Sequence, residues 1–282
     1  MNLAPNGLPV DFLTRSWLVI PPLEEGALAA GMKSGADVVC FDLGAVSRVR
    51  RATAAEALCQ FVRESKEALQ QVGAPAVFFL LPEADDDTDS LLETLMPARP
   101  TGLLLTVHDP RDVQELDVLV AVHEAINDIE DGLTRLACLL PHALNADFCG
   151  LSRRLIGLGW SAEAFRAHVG ARRMLDAGGA LSDSFRLARS SVLLAAASAG
   201  LEAIDSHSGL WSTDRLARDV QEAAADGFTG KFSLSPRQVS AINHGFTPGP
   251  DEVEEARAWL QQPDELCRRD YLRALRVLKR AP

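Results

Sequence analysis

The sequence predicts a single parallel (β/α)₈ barrel, the TIM-barrel class, with extra helices at its C-terminal end. Eight short apolar runs recur along 282 residues in alternation with helical stretches, and no linker between them is long enough to divide the chain. The runs are apolar throughout instead of alternating with polar residues, as expected of strands covered on both faces. An open, doubly wound sheet is the alternative. It would normally carry a Gly-rich phosphate turn after an early strand, and none is present. Residues 1–14, rich in Pro, Asn and Gly, read as an N-terminal arm, and 15–282 as one barrel with a helical tail.

The elements follow in order. Ser16 to Ile20 is strand-like and stops at Pro21-Pro22, which cannot continue a ladder. Leu23 to Lys33 has helical spacing closed by Ser34-Gly35. Ala36 to Val46 holds the second strand, a β-branched and aromatic run that ends abruptly at Asp42. Ala52 to Gln71 is an Ala-rich amphipathic helix, and Ala76 to Leu81 a third strand stopped by Pro82. Gly102 to Thr106 is the fourth strand, followed by a helix from Pro110 to Asn127 with proline at its start. Arg135 to Leu140 and Leu155 to Leu158 are the fifth and sixth strands. Ser182 to Ala199 is a long helix with Ser182 as N-cap and Gly200 as stop. Leu201 to Asp205 is the seventh strand, Thr213 to Asp226 a helix, and Gly230 to Leu234 the eighth strand. Pro250 to Gln261 and Asp264 to Arg280 are the added helices.

Composition narrows the function classes. With 47% hydrophobic and 24% charged residues the chain can bury a sizeable core, and its net charge of −11 supplies no basic field to attract nucleic acid or an acidic membrane. The acidic block at 83–87 reads as a solvated loop, and the one at 251–255 as a favourable charge on a helix N-terminus. Five widely spaced cysteines without a C-x-x-C pair read as free thiols in a reducing compartment. No apolar stretch approaches the ~18 residues of a membrane span, and the N-terminus lacks a charged region followed by an apolar one. A cytoplasmic protein is expected.

In a barrel of this kind the working residues lie at the C-terminal ends of the strands. Those positions offer Pro21, Pro22, Asp42, Gly44, Ala45, Leu81, Thr106, His108, Leu139, His142, Trp160, Ser161, Glu163, Asp205, Ser206, His207, Ser233 and Ser235. For a catalytic rim this is thin in charge. Asp42 stands out as a carboxylate delivered by a buried strand, and the competing reading is that it caps the following turn.

The segment Gly227-Phe228-Thr229-Gly230-Lys231-Phe232-Ser233-Leu234-Ser235-Pro236-Arg237-Gln238-Val239, continued by Phe246-Thr247-Pro248-Gly249-Pro250, resembles a motif of the citrate lyase β-subunit-like (CitE-like) branch of the HpcH/HpaI aldolase family. Arg15-Ser16, Gly35-Ala36-Asp37, Leu144-Asn145-Ala146, Ala188-Arg189-Ser190 and Ala199 to Asp205 extend the resemblance over roughly residues 14–260. It implies a trimeric or hexameric barrel that makes or breaks C–C bonds in hydroxyacyl thioesters, commonly of CoA. In such a barrel Mg²⁺ is held by one Glu and one Asp, and an Arg on the third strand orients the substrate. A hard cation of this kind needs oxygen ligands.

The family's functional positions transfer poorly. Its Asp-Leu-Glu-Asp reads Asp42-Leu43-Gly44-Ala45, its third-strand Arg has no counterpart near Phe78 to Leu81, and its Lys after the fourth strand becomes Val107. Counting back from Leu144-Asn145-Ala146 puts the metal-binding Glu on Cys138; aligning Trp160 to Phe165 puts the Asp on Ala164. The His before Pro236 is Ser235, and the segment that reaches a neighbouring subunit is replaced by the tail at 261–282. The resemblance therefore implies a lyase scaffold with a degenerate site. Asp42 and Glu163 remain as catalytic candidates, and Arg15, Arg189, Lys231 and Asp205 as substrate or CoA contacts. No metal or other cofactor is expected.

Other constellations were weighed. Glu163 lies one residue from the lost Asp, but a one-residue step on a helix turns a side chain by about 100°. His108, His142, His168 and His207 lie near strand ends without a metal-ligand spacing, which favours scattered surface or capping roles. Ser206-His207-Ser208 beside Asp205 lacks a nucleophile-elbow pattern. Arg153-Arg154 and Arg172-Arg173 read as solvated arginines before phosphate ligands. The leading expectation is a weakly active or inactive paralogue that binds a CoA thioester or small carboxylic acid, as a homo-oligomer or with an active paralogue. The alternative is an active, divergent lyase or thioesterase using Asp42 and Glu163. A purely structural module, its mouth filled by Phe79 and Trp160, is the third reading.

Overall fold

All eight apolar runs become strands, and every pairing is parallel. The computed structural model describes residues 13–22, 26–83, 87–207, 213–261 and 267–281. Its strands are β1 (Ser16–Ile20), β2 (Val38–Asp42), β3 (Ala76–Leu80), β4 (Gly102–Thr106), β5 (Arg135–Leu140), β6 (Leu155–Trp160), β7 (Glu202–Asp205) and β8 (Gly230–Ser233). They pair in sequence order and the ring closes where β8 meets β1, with Trp17 beside Phe232.

Helices clothe the ring. α1 (Ala27–Met32) joins β1 to β2, and α2 (Arg48–Glu64) and α3 (Lys66–Leu69) join β2 to β3. The expected helix over 52–71 thus begins earlier and breaks at Ser65. α4 (Thr88–Leu95), ending in a 3₁₀ turn at Met96–Ala98, joins β3 to β4 and was not anticipated. α5 (Pro110–Ile126) starts on a capping box in which the Asp109 carboxylate receives backbone N–H groups while Asp112 reaches back to the N-cap amide. α6 (Ala162–Val169) and α7 (Asp183–Ala199) connect β6 to β7, and α7 ends where expected, on Gly200 at φ 70°. Its N-cap is Ser182 as expected, although the hydroxyl makes no capping hydrogen bond. α8 (Thr213–Asp226), α9 (Pro236–Phe246), α10 (Pro250–Gln261) and α11 (Arg268–Arg280) complete the chain.

One connection departs from the pattern. Between β5 and β6 the chain makes turns over 141–154 and forms no helix. The expected arm at 1–14 and the first residues of the helix expected at 23–33 lie mostly outside the described residues. The expected start of the last helix at Asp264 does too; the described helix begins at Arg268.

The pleat sorts the apolar side chains into two cores. Trp17, Val38, Cys40, Phe78, Leu80, Leu104, Ala137, Ile156, Ile204 and Phe232 fill the barrel, with Val19 and Leu139 packed on them. Trp17 meets Phe78 edge to face at 4.9 Å. Their neighbours Val39, Phe41, Phe79, Cys138, Leu158 and Trp160 belong to the larger core between strands and helices. The idea that Phe79 and Trp160 plug the mouth is therefore wrong: both point outward, because inward and outward positions alternate along each strand.

Two sets of charges tie the N-terminal end of the barrel. Arg15 grips both oxygens of Asp37 at 2.9 Å and donates to Thr247 Oγ1 at 2.7 Å. Arg154 is buried with Glu124, Asp117 and Asp131 around it, and Glu124 also accepts the backbone N–H groups of Gly132 and Thr134.

Candidate functional site

Asp42 is the last residue of β2, and the alternation that sends Val38 and Cys40 inward sends it inward too. Beside it in register stands Leu80, also inward. Its Oδ1 accepts the backbone N–H of Ala45 at 3.0 Å, and the N–H of Gly44 adds to this. Burial raises its carboxyl above the ordinary Asp value, and those two N–H groups pull partly back. A Cβ on Gly44 would sit 3.1 Å from this oxygen, so the turn folds closely over the acid. Asp42 can hold and release a proton at the mouth, and it caps its own turn. The inward strand ends beyond it are neutral: Leu80 on β3, Thr106 on β4 and Leu139 on β5.

Glu163 lies in the first turn of α6, whose N-cap Ser161 accepts the N–H of Ala164 at 3.1 Å. Its carboxylate pairs with Arg166 at 2.8 Å and makes no hydrogen bond or ion pair with Asp42. It also acts on His207: burial lowers that imidazole, Glu163 works against the shift, and Lys231 adds to it.

The four expected substrate contacts do not gather at the mouth. Arg15 precedes β1 and is held at the opposite end of the barrel by Asp37 and Thr247, where residues serve stability. Asp205 and Lys231 end on the outer side of β7 and β8, between wall and helices. Asp205 Oδ2 accepts Lys231 Nζ at 3.0 Å, and Oδ1 accepts Arg189 Nε at 3.0 Å. Lys231 also meets Asp219 at 2.8 Å, and Arg189 meets Asp226 at 2.5 Å while lying 4.5 Å over the Phe228 ring. Burial opposes the charged form of Asp205, but Lys231 and Arg189 outweigh it and hold the carboxyl below its ordinary value. These three form one buried ion network that pins α7 and α8 to the wall.

The other readings resolve similarly. Ser206 Oγ accepts the N–H of Ala162 at 3.0 Å and Asp205 is committed to its cations, so no Ser/His/Asp relay forms there; Ser208 lies outside the described residues. Arg154 is not a solvated arginine but the centre of the carboxylate cluster described above. Arg172 and Arg173 are exposed as expected.

The family's ligand positions give no pair of carboxylates. Cys138 packs among the outer core, and burial pushes its thiol up, so the count back from Asn145 lands on a side chain that faces away from the mouth. Its inward neighbour is Leu139. Ala164 carries no ligand. A hard cation with oxygen ligands does not fit Asp42, Leu139 and Ala164.

The structure does bring together three of the four histidines noted in the sequence. His108 follows β4, His142 follows β5, and His168 closes α6. The His142 and His168 rings are 5.2 Å apart at 61°, and His108 and His168 stack at 6.2 Å. His108 Nε2 lies 3.4 Å from Glu83 Oε1. Burial lowers the His142 imidazole, and His168 and His108 add to the shift. Its Nδ1 is enclosed without a hydrogen-bond partner. As the side chains stand, no group of three His, Cys, Asp or Glu among the described residues is arranged around a metal position. The signal for the cluster was present in the sequence as one histidine after each of three consecutive strands. Barrel topology, not spacing, makes these neighbours.

No protein-family profile matches the chain. Among curated proteins it is 29% identical over 184 residues to the mitochondrial citramalyl-CoA lyase of Rattus norvegicus, covering 58% of this chain and 52% of that one. It is 28% identical over 166 residues to the citrate lyase subunit beta of Escherichia coli K12, covering 56% and 52%. A citrate lyase subunit beta-like protein of Mycobacterium tuberculosis matches at 31% over 103 residues, covering 36% and 38%. The matches thus span about half the length of these relatives or less. Among solved structures, M. tuberculosis CitE in complex with magnesium, acetoacetate and coenzyme A superimposes with a TM-score of 0.68 at 21% identity, covering 96% of this chain and 98% of that one. RipC from Yersinia pestis gives 0.65 at 24%, covering 85% and 98%. At these identities the structures speak for the closed barrel alone. In sequence the chain is similar over part of its length to citramalyl-CoA lyases and citrate lyase beta subunits, and in fold to CitE.

Proposed function

We propose that this barrel has given up the Mg²⁺-dependent lyase chemistry of its family and serves as a binding or partner subunit, taking a CoA thioester or a small carboxylic acid. One observation carries the reading. The inward ends of β2 to β5 present Asp42, Leu80, Thr106 and Leu139, so a single carboxylate, already accepting two backbone N–H groups, stands where the resemblance implies a cation held by two. The basic side chains that match family motifs are neutralised elsewhere: Lys231 and Arg189 in the wall network, Arg15 at the far end. The ligand class is supported by the relatives, one named a citramalyl-CoA lyase and one crystallised with acetoacetate and coenzyme A. Assembly as a homo-oligomer, or with an active paralogue, belongs to the same proposal. The described cysteines are all free and no described helix is long and apolar enough to cross a membrane, which supports a cytoplasmic setting.

Calorimetric titration with Mg²⁺ and Mn²⁺, beside a thermal-shift screen of CoA thioesters and small dicarboxylates with and without Mg²⁺, tests this. The expected result is a midpoint raised by one ligand class independently of Mg²⁺, with no heat of metal binding. Metal-dependent cleavage of a hydroxyacyl-CoA, abolished by Asp42→Asn, would overturn it in favour of a divergent active lyase.

A further inference from the structure

We propose that the outward face of α5 docks a second copy of this chain, with the two α5 helices packed antiparallel across a two-fold axis. The inference rests on the homo-oligomer part of the preceding proposal and deepens it by naming the surface.

α5 is apolar on two opposite faces. Val113, Leu116 and Val120 are buried in the core between strands and helices, as a cladding helix requires. On the other side Val118, Val122 and Ile126 follow one another at four-residue spacing, 64%, 50% and 69% exposed, with exposed Ala125 beside them. A helix face turned to water is normally polar, and that of α2 is: its exposed positions include Glu56, Gln60, Arg63 and Glu64. β-Branched residues are also weaker helix formers than Lys, Glu or Ala, so helix formation gives no reason for them here. From Val118 to Ile126 no exposed side chain is charged, because the ionisable residues in that stretch, His123 and Glu124, are buried. An apolar, charge-depleted centre is the composition of a buried interface core.

The charges at the two ends say what covers it. Arg111, Glu115, Val118, Val122 and Ala125 repeat at the alternating four- and three-residue spacing of a helix–helix seam, and all are exposed. Past the other end of the helix Asp128 and Glu130 are exposed, and exposed Arg99 donates to the Asn127 and Asp128 carbonyl oxygens. An antiparallel pair centred at the level of Val120 sets Val118 against the second copy's Val122. It brings Arg111 to the end that carries the second copy's Asp128 and Glu130, and Glu115 toward the second copy's Arg99. A parallel pair would instead set Arg111 against Arg111 and Glu115 against Glu115. The contact of Arg111 with Asp109 is a solvent-exposed pair worth little, so it does not oppose a second partner. A single arginine on this face, in a chain of net charge −11, does not suit an acidic lipid surface. The seam is one helix long, about 25 Å, at the small end of stable interfaces, so association in the micromolar range is expected.

Sedimentation equilibrium of the whole chain, from roughly 1 to 100 μM, tests the surface. The expected result is concentration-dependent association that Val122→Glu weakens at least tenfold, about 1.4 kcal/mol. Arg111→Glu is expected to weaken it severalfold, and the double variant Arg111→Glu, Glu130→Arg to regain most of the loss. Val122, Arg111 and Glu130 are exposed, so the variants are expected to fold, which circular dichroism verifies. A chain that stays monomeric over the whole range overturns this surface and the homo-oligomer reading together. Association that Val122→Glu leaves intact overturns this surface alone and leaves the homo-oligomer standing. A double variant that associates no better than Arg111→Glu overturns the antiparallel pairing. None of these outcomes touches the metal and ligand titrations, which judge the lost lyase chemistry by themselves.

Discussion

At the scale of single residues, Asp205 with Lys231 and Arg189 forms a buried electrostatic network. Asp205 and Lys231 are almost fully buried, and breaking a buried pair by removing one charge costs about 3–5 kcal/mol. Asp205→Asn is expected near the low end, about 3 kcal/mol, because Asp219 and Asp226 still face the two cations. Urea unfolding measures it. The sign with pH follows from the direction of the shift. The folded-state carboxyl is held below 3.8, so its contribution is fully present above that value and is lost as pH falls through the lower folded value. The parent should lose stability in that acid range, and the Asn variant should lose less. A substrate-binding role for Asp205 would instead show as weakened ligand binding without loss of stability. The motif positions of Arg189, Lys231 and Asp205 were visible in the sequence, but their direction was not. A strand apolar on both faces has no polar–apolar contrast by which to read its pleat. The same blindness placed Phe79 and Trp160 in the mouth, and it let a count along the chain put a ligand position on the outward Cys138.

At the scale of elements, strand and helix succession was legible because apolar runs and their Gly, Pro and Ser punctuation are local. Three helices were absent from the ordered reading: α4, α6 and α9. α4 follows an acidic loop that masked its start, and α9 was absorbed into a motif although Ser235 and Pro236 carry the N-cap and N1 signals, with Ser235 Oγ accepting the Arg237 N–H. Strand glycines are positions where neighbours approach too closely for a side chain. A Cβ at Gly159 would lie 2.4 Å from the Phe232 ring, which fills the barrel interior. At Gly102 it would meet the Phe78 ring at 2.4 Å and the Arg135 carbonyl oxygen at 2.6 Å. A ring can shift; a ladder carbonyl moves only with its strand. Gly159→Ala is therefore expected to cost about 1–3 kcal/mol, and Gly102→Ala more than Gly159→Ala, in denaturant midpoints. Equal costs would mean that the β4–β5 ladder yields as easily as a side chain.

At the scale of the whole molecule, the eightfold rhythm announced the closed barrel, and the resemblance in the β8 segment pointed to the relatives it is similar to. The site was only partly legible. Asp42 was found at its strand end, whereas the three-histidine rim depends on β4, β5 and β6 being consecutive staves of a closed ring, which spacing alone does not show. The ring also leaves two buried thiols on opposite sides of one wall: Cys40 inside the barrel and Cys138 between wall and helices. They are natural timers of how the fold comes apart. Alkylation under native conditions, read peptide by peptide by mass spectrometry, follows local opening at each position. Because the outer core is exposed when helices peel away while the interior is exposed only when the ring itself parts, Cys138 is expected to be modified before Cys40. Simultaneous modification would mean that cladding and barrel open as one unit.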